Sequence, residues 1–456
     1  ASTRPWRRRA DRRRWLHLGC AWGGLMWTRP DGFIYVGLLA AGAFFFNEPE
    51  RTGLTRWEWL KLFLQAGLVC TAIYLPWIEW SWAYFGTPVP HTITAKGGIT
   101  TESKTILGAL KTFIDFPLTV WKGSTSLEAT FLPSYFQIGG WPAAAVTAAR
   151  WVALLLAFQW VIPLWRSEVR MASFAFCGMH VYLTYFPFFP FPWYLPGAAF
   201  LAAVTLGGMI AQLLAVANRR WLRVTVMVIA LLGIAGEGWL TWQMRREMTI
   251  EQIYSATGTR RRVGEWLKAH ARPGDTVFME PLGHIGYFSG LKTYDFPGLS
   301  SRAMVGAIHA VGTHLAYLIN YLSPDWVVFR PREYARVKDS MPALFGPGNA
   351  YELVNEIDNV PQIEQLTFFG RGYVEFDAHL LIFHRQLAKP RIAPKGQFPL
   401  ESLGLPAVGI NGQQLFRMPG NAMTYVPVPA GTKRVFIMYA VPPDSYATAP
   451  DNESRE

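Results

Sequence analysis

WYLPGAAFLAAVTLGGMIAQLLAVANRRWLRVTVMVIALLGIAGEGWLTW, residues 193–242, decides the fold. Leu195 to Ala217 carry no charge, Asn218-Arg219-Arg220-Trp221-Leu222-Arg223 interrupts them, and Val224 to Trp242 resumes with Glu237 as its one formal charge. Each arm has about the 20 residues that a helix needs to cross the hydrocarbon core of a bilayer. The arginines between the arms belong on the cytoplasmic side, where Lys and Arg accumulate. The chain beyond Trp242 therefore emerges on the outer face.

Composition agrees. Of 456 residues 15% are aromatic and 16% charged, against about 25% charged in an ordinary soluble domain, and mean hydropathy is +0.15. The net charge of +12 gathers largely in short turns beside apolar runs. That placement fits membrane topology and anionic lipid, not nucleic acid. Cys20, Cys70 and Cys177 lie inside apolar runs, without metal-ligand or disulfide spacing.

In chain order, residues 1–14 hold seven arginines and form a cytoplasmic segment. Trp15 to Trp27, with Gly19, Gly23 and Gly24 permitting close helix packing, and Phe33 to Phe46 are two short apolar segments around a break at Pro30. Arg51, Arg56 and Lys61 mark a cytoplasmic turn, and Leu60 to Tyr84 is a third span. An outer-face segment at 97–145 includes Ile106 to Phe116, spaced as an amphipathic helix that lies on the interface or packs on the protein. Val146 to Leu164 ends at Arg166 and Arg170, and Met171 to Phe186 returns to an aromatic, proline-rich outer loop. With the two opening arms this makes about seven spans over residues 15–243, every inferred cytoplasmic turn basic.

Residues 244–389 read as an extracytoplasmic α/β domain. Gln252 to Ala271 is amphipathic, Thr276–Met279, Thr293–Phe296 and Trp326–Phe329 are strands, and Ala303 to Leu322 is largely helical. Tyr373–Phe376 and Leu380–Arg385 suggest an antiparallel edge pair, and 390–456 a short β-rich tail whose second module starts near Phe416. The fold class expected is thus a polytopic α-helical membrane bundle, then an extracytoplasmic α/β domain and a β-rich extension.

Four ordered segments carry a resemblance: Trp27-Thr28-Arg29-Pro30-Asp31-Gly32, the run Ala83 to Lys96, Phe191 to Pro196, and Arg262 to Gly290. Together they resemble bacterial polytopic glycosyltransferases of the GT-C superfamily, in particular arabinofuranosyl- and mannosyltransferase-like members with an external C-terminal domain. The resemblance spans roughly residues 12–385 and implies transfer of a sugar from a polyprenyl-phosphate donor to a cell-envelope glycan, lipid or protein on the outer face of the bacterial inner membrane. The family places its catalytic acid in the first external loop. Here the matching segments begin at a middle span with no acidic pair before them, so a catalytic part upstream of Ala1, a base from a membrane-protein partner, and a noncatalytic chain are all open.

Such chemistry requires a base for the acceptor hydroxyl and cationic groups or a divalent metal ion to steady the departing phosphate. Arg29 and Asp31 stand at a proline-broken membrane boundary, where charge is costly unless it faces a cavity or a partner; they line a substrate cavity or pin two helices. His91 and Lys96 are candidates for the donor phosphate, with headgroup snorkelling the alternative for Lys96. Tyr84, Trp193 and Tyr194 either contact sugar and prenyl chain or form the aromatic belt. His180 is expected to hydrogen-bond across the bundle, while Glu280, His284, Tyr287 and Asp295 are crevice candidates near sheet ends of the outer domain. No zinc cluster, dinucleotide fingerprint, Walker sequence or nucleophile elbow is present, and no catalytic residue or cofactor is assigned. Two other classes compete: a noncatalytic membrane subunit of a larger envelope complex, and a transporter.

Overall fold

The computed structural model describes residues 13–29, 31–85, 88, 105–121, 125–133, 135–185, 191–341, 344–346, 349–386, 407–410 and 413–416. Its first half is a helical bundle: α1 (Arg14–Thr28), α2 (Gly32–Phe45), α3 (Arg56–Phe85), α4 (Ile106–Trp121), α5 (Ala143–Ala157), α6 (Ser167–Tyr185), α7 (Pro196–Val216) and α8 (Arg220–Glu251). Among the described residues, four helical stretches are long and apolar enough to cross a membrane: Arg56–Tyr84, Ala143–Val161, Pro196–Val216 and the rod Arg220–His270. That is fewer than the seven spans expected. Helices α1 and α2 have 15 and 14 residues, short for a crossing, and the nineteen-residue α6 carries Glu168, Arg170, Ser173, His180 and Thr184.

Small residues set the helix spacing. A side chain at Gly19 would meet Val69 at 2.6 Å and one at Gly23 would meet Ile73 at 2.8 Å, so α1 lies along α3 in parallel. Gly24 faces nothing within 4 Å, so two of the three glycines singled out from sequence do the packing. Gly42 against Met171 and Gly178 against Leu38 bring α2 and α6 together antiparallel. The centre is filled by Phe116, Leu156, Phe176, Met179, Leu183 and Leu201.

The basic turns meet at one end. Arg51 pairs with Glu168 at 3.3 Å, Ser167 donates its backbone N–H to Glu48 at 3.0 Å, and Gln212 joins Arg166 and Leu164. The second half of the chain sits at the other end, where Arg302 donates to the Tyr84 carbonyl at 3.2 Å. The loop at Glu48–Arg51, the start of α6 and the end of α7 thus meet at the end of the bundle opposite the second half of the chain.

Beyond α8 the helix continues as a π-helical segment, Gln252–Arg261, and then α9 (Arg262–His270). The outer domain comes next: β1 (Thr276–Met279), α10 (Leu282–Ser289), β2 (Lys292–Asp295), α11 (Arg302–Val311), α12 (Leu315–Leu322), β3 (Trp326–Phe329), α13 (Pro331–Ser340), β4 (Tyr351–Asp358), α14 (Val360–Glu364), α15 (Arg371–Phe376) and β5 (His379–Arg385). The sheet order is β2-β1-β3-β5-β4, with β1 parallel to β2 and β3 and β5 antiparallel to β3 and β4. β1 and β3 are buried along their whole length because helices cover both faces: Phe278, Val327 and Phe329 pack toward Met304, Leu318 and Val337, and Val277, Met279 and Val328 toward Val263, Leu267 and Ile285.

The expected edge pair of Tyr373–Phe376 with Leu380–Arg385 needs correction. Tyr373–Phe376 lies in α15, whose preceding Gly370 adopts φ +80. The partner of β5 is β4, whose alternation is broken by a bulge between Leu353 and Asn355, which hides the strand from a period-two reading. Ala303–Leu322 is largely helical as expected, divided into α11 and α12 at Gly312, φ +80. Of the β-rich tail, a hairpin of β6 (Ala407–Ile410) and β7 (Gln413–Phe416) is described, and the expected module beyond Phe416 lies outside the described residues.

Candidate functional site

Two polar groups stand at the outer end of the bundle. The first is at its rim, where α1 ends and α2 begins. Arg29 donates from Nε and Nη2 to the two carboxylate oxygens of Asp31, each at 2.8 Å. Its guanidinium lies 4.7 Å from the Tyr194 ring centroid, and the Tyr35 hydroxyl donates to the Tyr194 carbonyl at 3.2 Å. Trp193 flanks Tyr194 with ring centroids 6.3 Å apart. Asp31 is 7% exposed while the Arg29 side chain keeps 29%. Arg29 Nη1 has no hydrogen-bond or ion-pair partner among the described residues. One guanidinium nitrogen, with its two N–H donors, is thus left over.

This group joins four of the residues expected from sequence, Arg29, Asp31, Trp193 and Tyr194, across some 160 positions. Tyr35 and Tyr182, within electrostatic reach of Asp31 and Arg29, were missed, because a tyrosine inside an apolar run gives no signal of which face it takes. Tyr84 has other contacts: its ring stacks on Trp80 at 5.4 Å and its carbonyl receives Arg302. His91 and Lys96 lie outside the described residues. His180 makes the expected cross-bundle bond, its Nε2 2.8 Å from the Thr130 hydroxyl.

The second group lies where the outer domain meets the bundle, at the carboxyl ends of β1 and β3. Arg330 follows β3 and caps α13, where Glu333 accepts from its backbone N–H at 2.9 Å and from Nη1 at 2.5 Å. Nε reaches Asp377 at 2.6 Å, and Nη2 binds Glu280, which follows β1. Only 5% of the Arg330 side chain is exposed. Burial alone would lower its pKa, yet Asp377, Glu280 and Glu333 outweigh that and raise it, so the arginine stays charged with all three nitrogens engaged.

Above it, Arg260 bridges Asp377 at 3.3 Å and Glu251. The π segment makes that bridge geometrically feasible. In an α-helix nine residues turn the chain through about 900°, placing Glu251 and Arg260 on opposite faces; with i→i+5 bonding, at roughly 4.4 residues per turn, they share one face. The same segment docks the domain through Ser255 Oγ to the Val374 carbonyl at 2.5 Å and Thr259 Oγ1 to the Ala378 carbonyl at 2.9 Å.

The bundle contributes the loop around Tyr135–Trp141. Tyr135 stacks on Tyr373 at 4.3 Å with rings 3° from parallel, the Gly370 N–H donates to the Gly140 carbonyl at 3.0 Å, and Trp141 Nε1 donates to Glu247 at 3.1 Å. A Cβ at Gly140 would meet the Arg371 nitrogen at 2.6 Å, so the backbones touch. Among the described residues Glu280 Oε1 has no partner and its side chain is 44% exposed; the buried Nε of Arg260 also lacks one. Of the other outer-domain candidates, Asp295 accepts from Ser300 at 2.7 Å as a loop cap, while His284 and Tyr287 ride on α10. No cluster of three metal-ligating side chains occurs among the described residues.

Residues 246–376 match the family model for a domain of unknown function, DUF8728. The matched stretch holds Glu247, Glu251, Arg260, Glu280, Arg330 and Glu333, and stops one residue before Asp377. No curated protein and no solved structure matches the chain.

Proposed function

We propose that the protein serves sugar transfer at the outer face of a bacterial inner membrane, as a GT-C type glycosyltransferase taking its sugar from a polyprenyl-phosphate donor, with the outer domain periplasmic or extracellular. The observation that carries this reading is the rim group. A guanidinium fixed by a bidentate carboxylate, backed by Tyr194 and Trp193 and holding one nitrogen spare, suits a lipid-linked phosphate lying at that depth. Asp31 orients Arg29, Arg29 Nη1 meets the phosphate oxygen whose charge grows as the sugar leaves, and the aromatic rings receive the first prenyl units. An ion pair with a guanidinium makes a carboxylate a weaker base, so Asp31 is assigned the orienting role and not that of the base for the acceptor hydroxyl. The cell-envelope glycan, lipid or protein that accepts the sugar reaches this rim from the side of the outer domain.

The test uses membranes containing the intact gene product and a panel of radiolabelled polyprenyl-phosphate sugars. Label should pass to an envelope acceptor, and Arg29→Ala should abolish it; no transfer across the panel rejects the reading. A second reading, a noncatalytic subunit of a larger membrane complex, draws on α8, whose apolar window buries none of its residues within this chain. Stable co-purification of a membrane partner, with no transfer by the pair or by the chain alone, favours it.

A further inference from the structure

We propose that Glu247 is a pH-operated latch: neutral, it lets the bundle loop and the outer domain close on each other at Trp141 and Gly370; ionised, it loosens that contact. Its place comes from packing. Glu247 follows Trp242, where the apolar arm ends, and has no exposed surface. From the bundle side Trp141 Nε1 donates to its Oε2 at 3.1 Å. From the outer domain Gly370 comes so near that an added Cβ would collide with the carboxyl group, and the Gly370 N–H donates to the Gly140 carbonyl at 3.0 Å. Phe369 packs into the same seam, its ring centroid 5.8 Å from that of Trp141 and 5.7 Å from that of Trp239. Helix α8, bundle loop and outer domain thus enclose one carboxyl.

Among the described residues no cation pairs with it, and Oε1 is buried without a hydrogen-bond partner. The charged groups on the surrounding elements are engaged elsewhere or have the wrong sign. On α8, Arg246 donates to the Thr367 carbonyl at 3.2 Å, and Glu251, one turn on, is itself an acid whose cation Arg260 is shared with Asp377. On the outer domain, Arg371 donates to the Leu366 carbonyl at 2.6 Å and lies 3.9 Å from Glu375. The bundle loop, Tyr135–Trp141, has no charged residue, and its one phenol stacks on that of Tyr373. A carboxylate so enclosed is costly, and the group takes up a proton instead. Burial raises the Glu247 midpoint to about 7, the Trp141 hydrogen bond opposes this, and Glu251 adds to it. The acid therefore holds its proton more tightly with the seam closed than with it open. Closure is strongest below the ordinary midpoint of 4.5 and weakens, about tenfold per pH unit, as pH rises to about 7.

The Gly370 amide reports the seam directly, because its hydrogen bond crosses it. The full chain in lipid nanodiscs is followed by hydrogen–deuterium exchange and mass spectrometry from pH 4.5 to beyond 7, each rate divided by that of an unstructured peptide at the same pH. Protection at Gly370 should fall on the order of 100-fold across the window and then level off, while Val327 in the central strand keeps its own. Glu247→Gln, of the same size but unable to ionise, should make the Gly370 curve flat. Trp141→Phe removes the donor that favours the charged form, so the loss should continue to a pH at which the wild type is already level. Constant protection in the wild type, a wild-type slope in Glu247→Gln, or equal loss at Val327 overturns the proposal. Should Glu247→Gln fail to fold, the Trp141→Phe curve decides, and a loss that ends at the wild-type pH overturns it. No sugar donor enters the measurement, so its outcome is separate from that of the transfer assay.

Discussion

The membrane bundle and the outer domain both have to fix helices against their neighbours, and they do so with different chemistry. In the bundle the contacts are made by missing side chains: Gly19, Gly23, Gly42 and Gly178 let partners come within reach of their backbones. Lipid tails are as apolar as leucine, so close packing supplies what the hydrophobic effect does not. In the outer domain, where water competes, the seam is held by guanidiniums among carboxylates, and Arg330 alone engages three. Charge is cheap to recruit in one region and costly in the other. An ion pair at the outer seam therefore reads first as structure, whereas a charged pair at the bundle rim, Arg29 with Asp31, calls for another reason to be there.

The largest effect should come from Arg330→Met. Removing the buried cation that pairs with Glu280, Glu333 and Asp377 should destabilise the outer domain by about 3–5 kcal/mol, seen as loss of its melting transition at a temperature where the bundle still holds. An unchanged melt would mean that the seam does not depend on charge. Arg29→Ala should act the other way round. Transfer should fall on the order of 100-fold, as when a group stabilising transition-state charge is lost, with a smaller change in melting temperature; a large melting loss with parallel loss of transfer would make Arg29 a structural pin. For the glycine contacts, Gly23→Leu should cost about 1–3 kcal/mol by overpacking, measured by unfolding in detergent, and Gly24→Leu, facing open space, about 0.5 kcal/mol or less. Equal effects at the two positions would erase the proposed chemistry of the bundle.

The smallest effect concerns pH. Burial raises the Glu280 carboxyl above its ordinary range, Asp377 and Glu333 add to this, and Arg330 opposes it. An acid with a raised folded pKa holds its proton longer folded than unfolded. Its contribution is thus full below the ordinary carboxylate range and fades as pH rises through the raised midpoint. The outer-domain melting temperature should decline slightly across that window, and Glu280→Gln should flatten the decline; an identical slope in the variant would assign it to another group.

Sequence reveals most readily the features that depend on near neighbours. β1 and β3 appear at their true bounds because short runs of apolar and β-forming residues, TVFM and WVVF, between turns leave little choice. The rim pair was legible because Arg29 and Asp31 are two positions apart at a proline break, and Trp193 and Tyr194 because aromatic rings mark a membrane edge. The seam was not, since Glu251, Arg260, Glu280, Arg330 and Asp377 meet only after the sheet order is settled. The π register is equally silent: an amphipathic pattern over Gln252–Ala271 suggests a helix without telling four residues per turn from five. β4 escaped because its bulge moves one side chain out of alternation.

From Arg220 to His270 the helix is unbroken, a shaft of roughly 75 Å at 1.5 Å per residue. A shaft transmits rotation as well as height. One alanine inserted between Trp242 and Arg246 would lift the outer domain by only about 1.5 Å but turn it through about 100°, carrying Tyr373 away from Tyr135. The number of residues between the membrane surface and the first docking contact is thus a clocking constraint: a loop there would tolerate an extra residue, and this shaft should not.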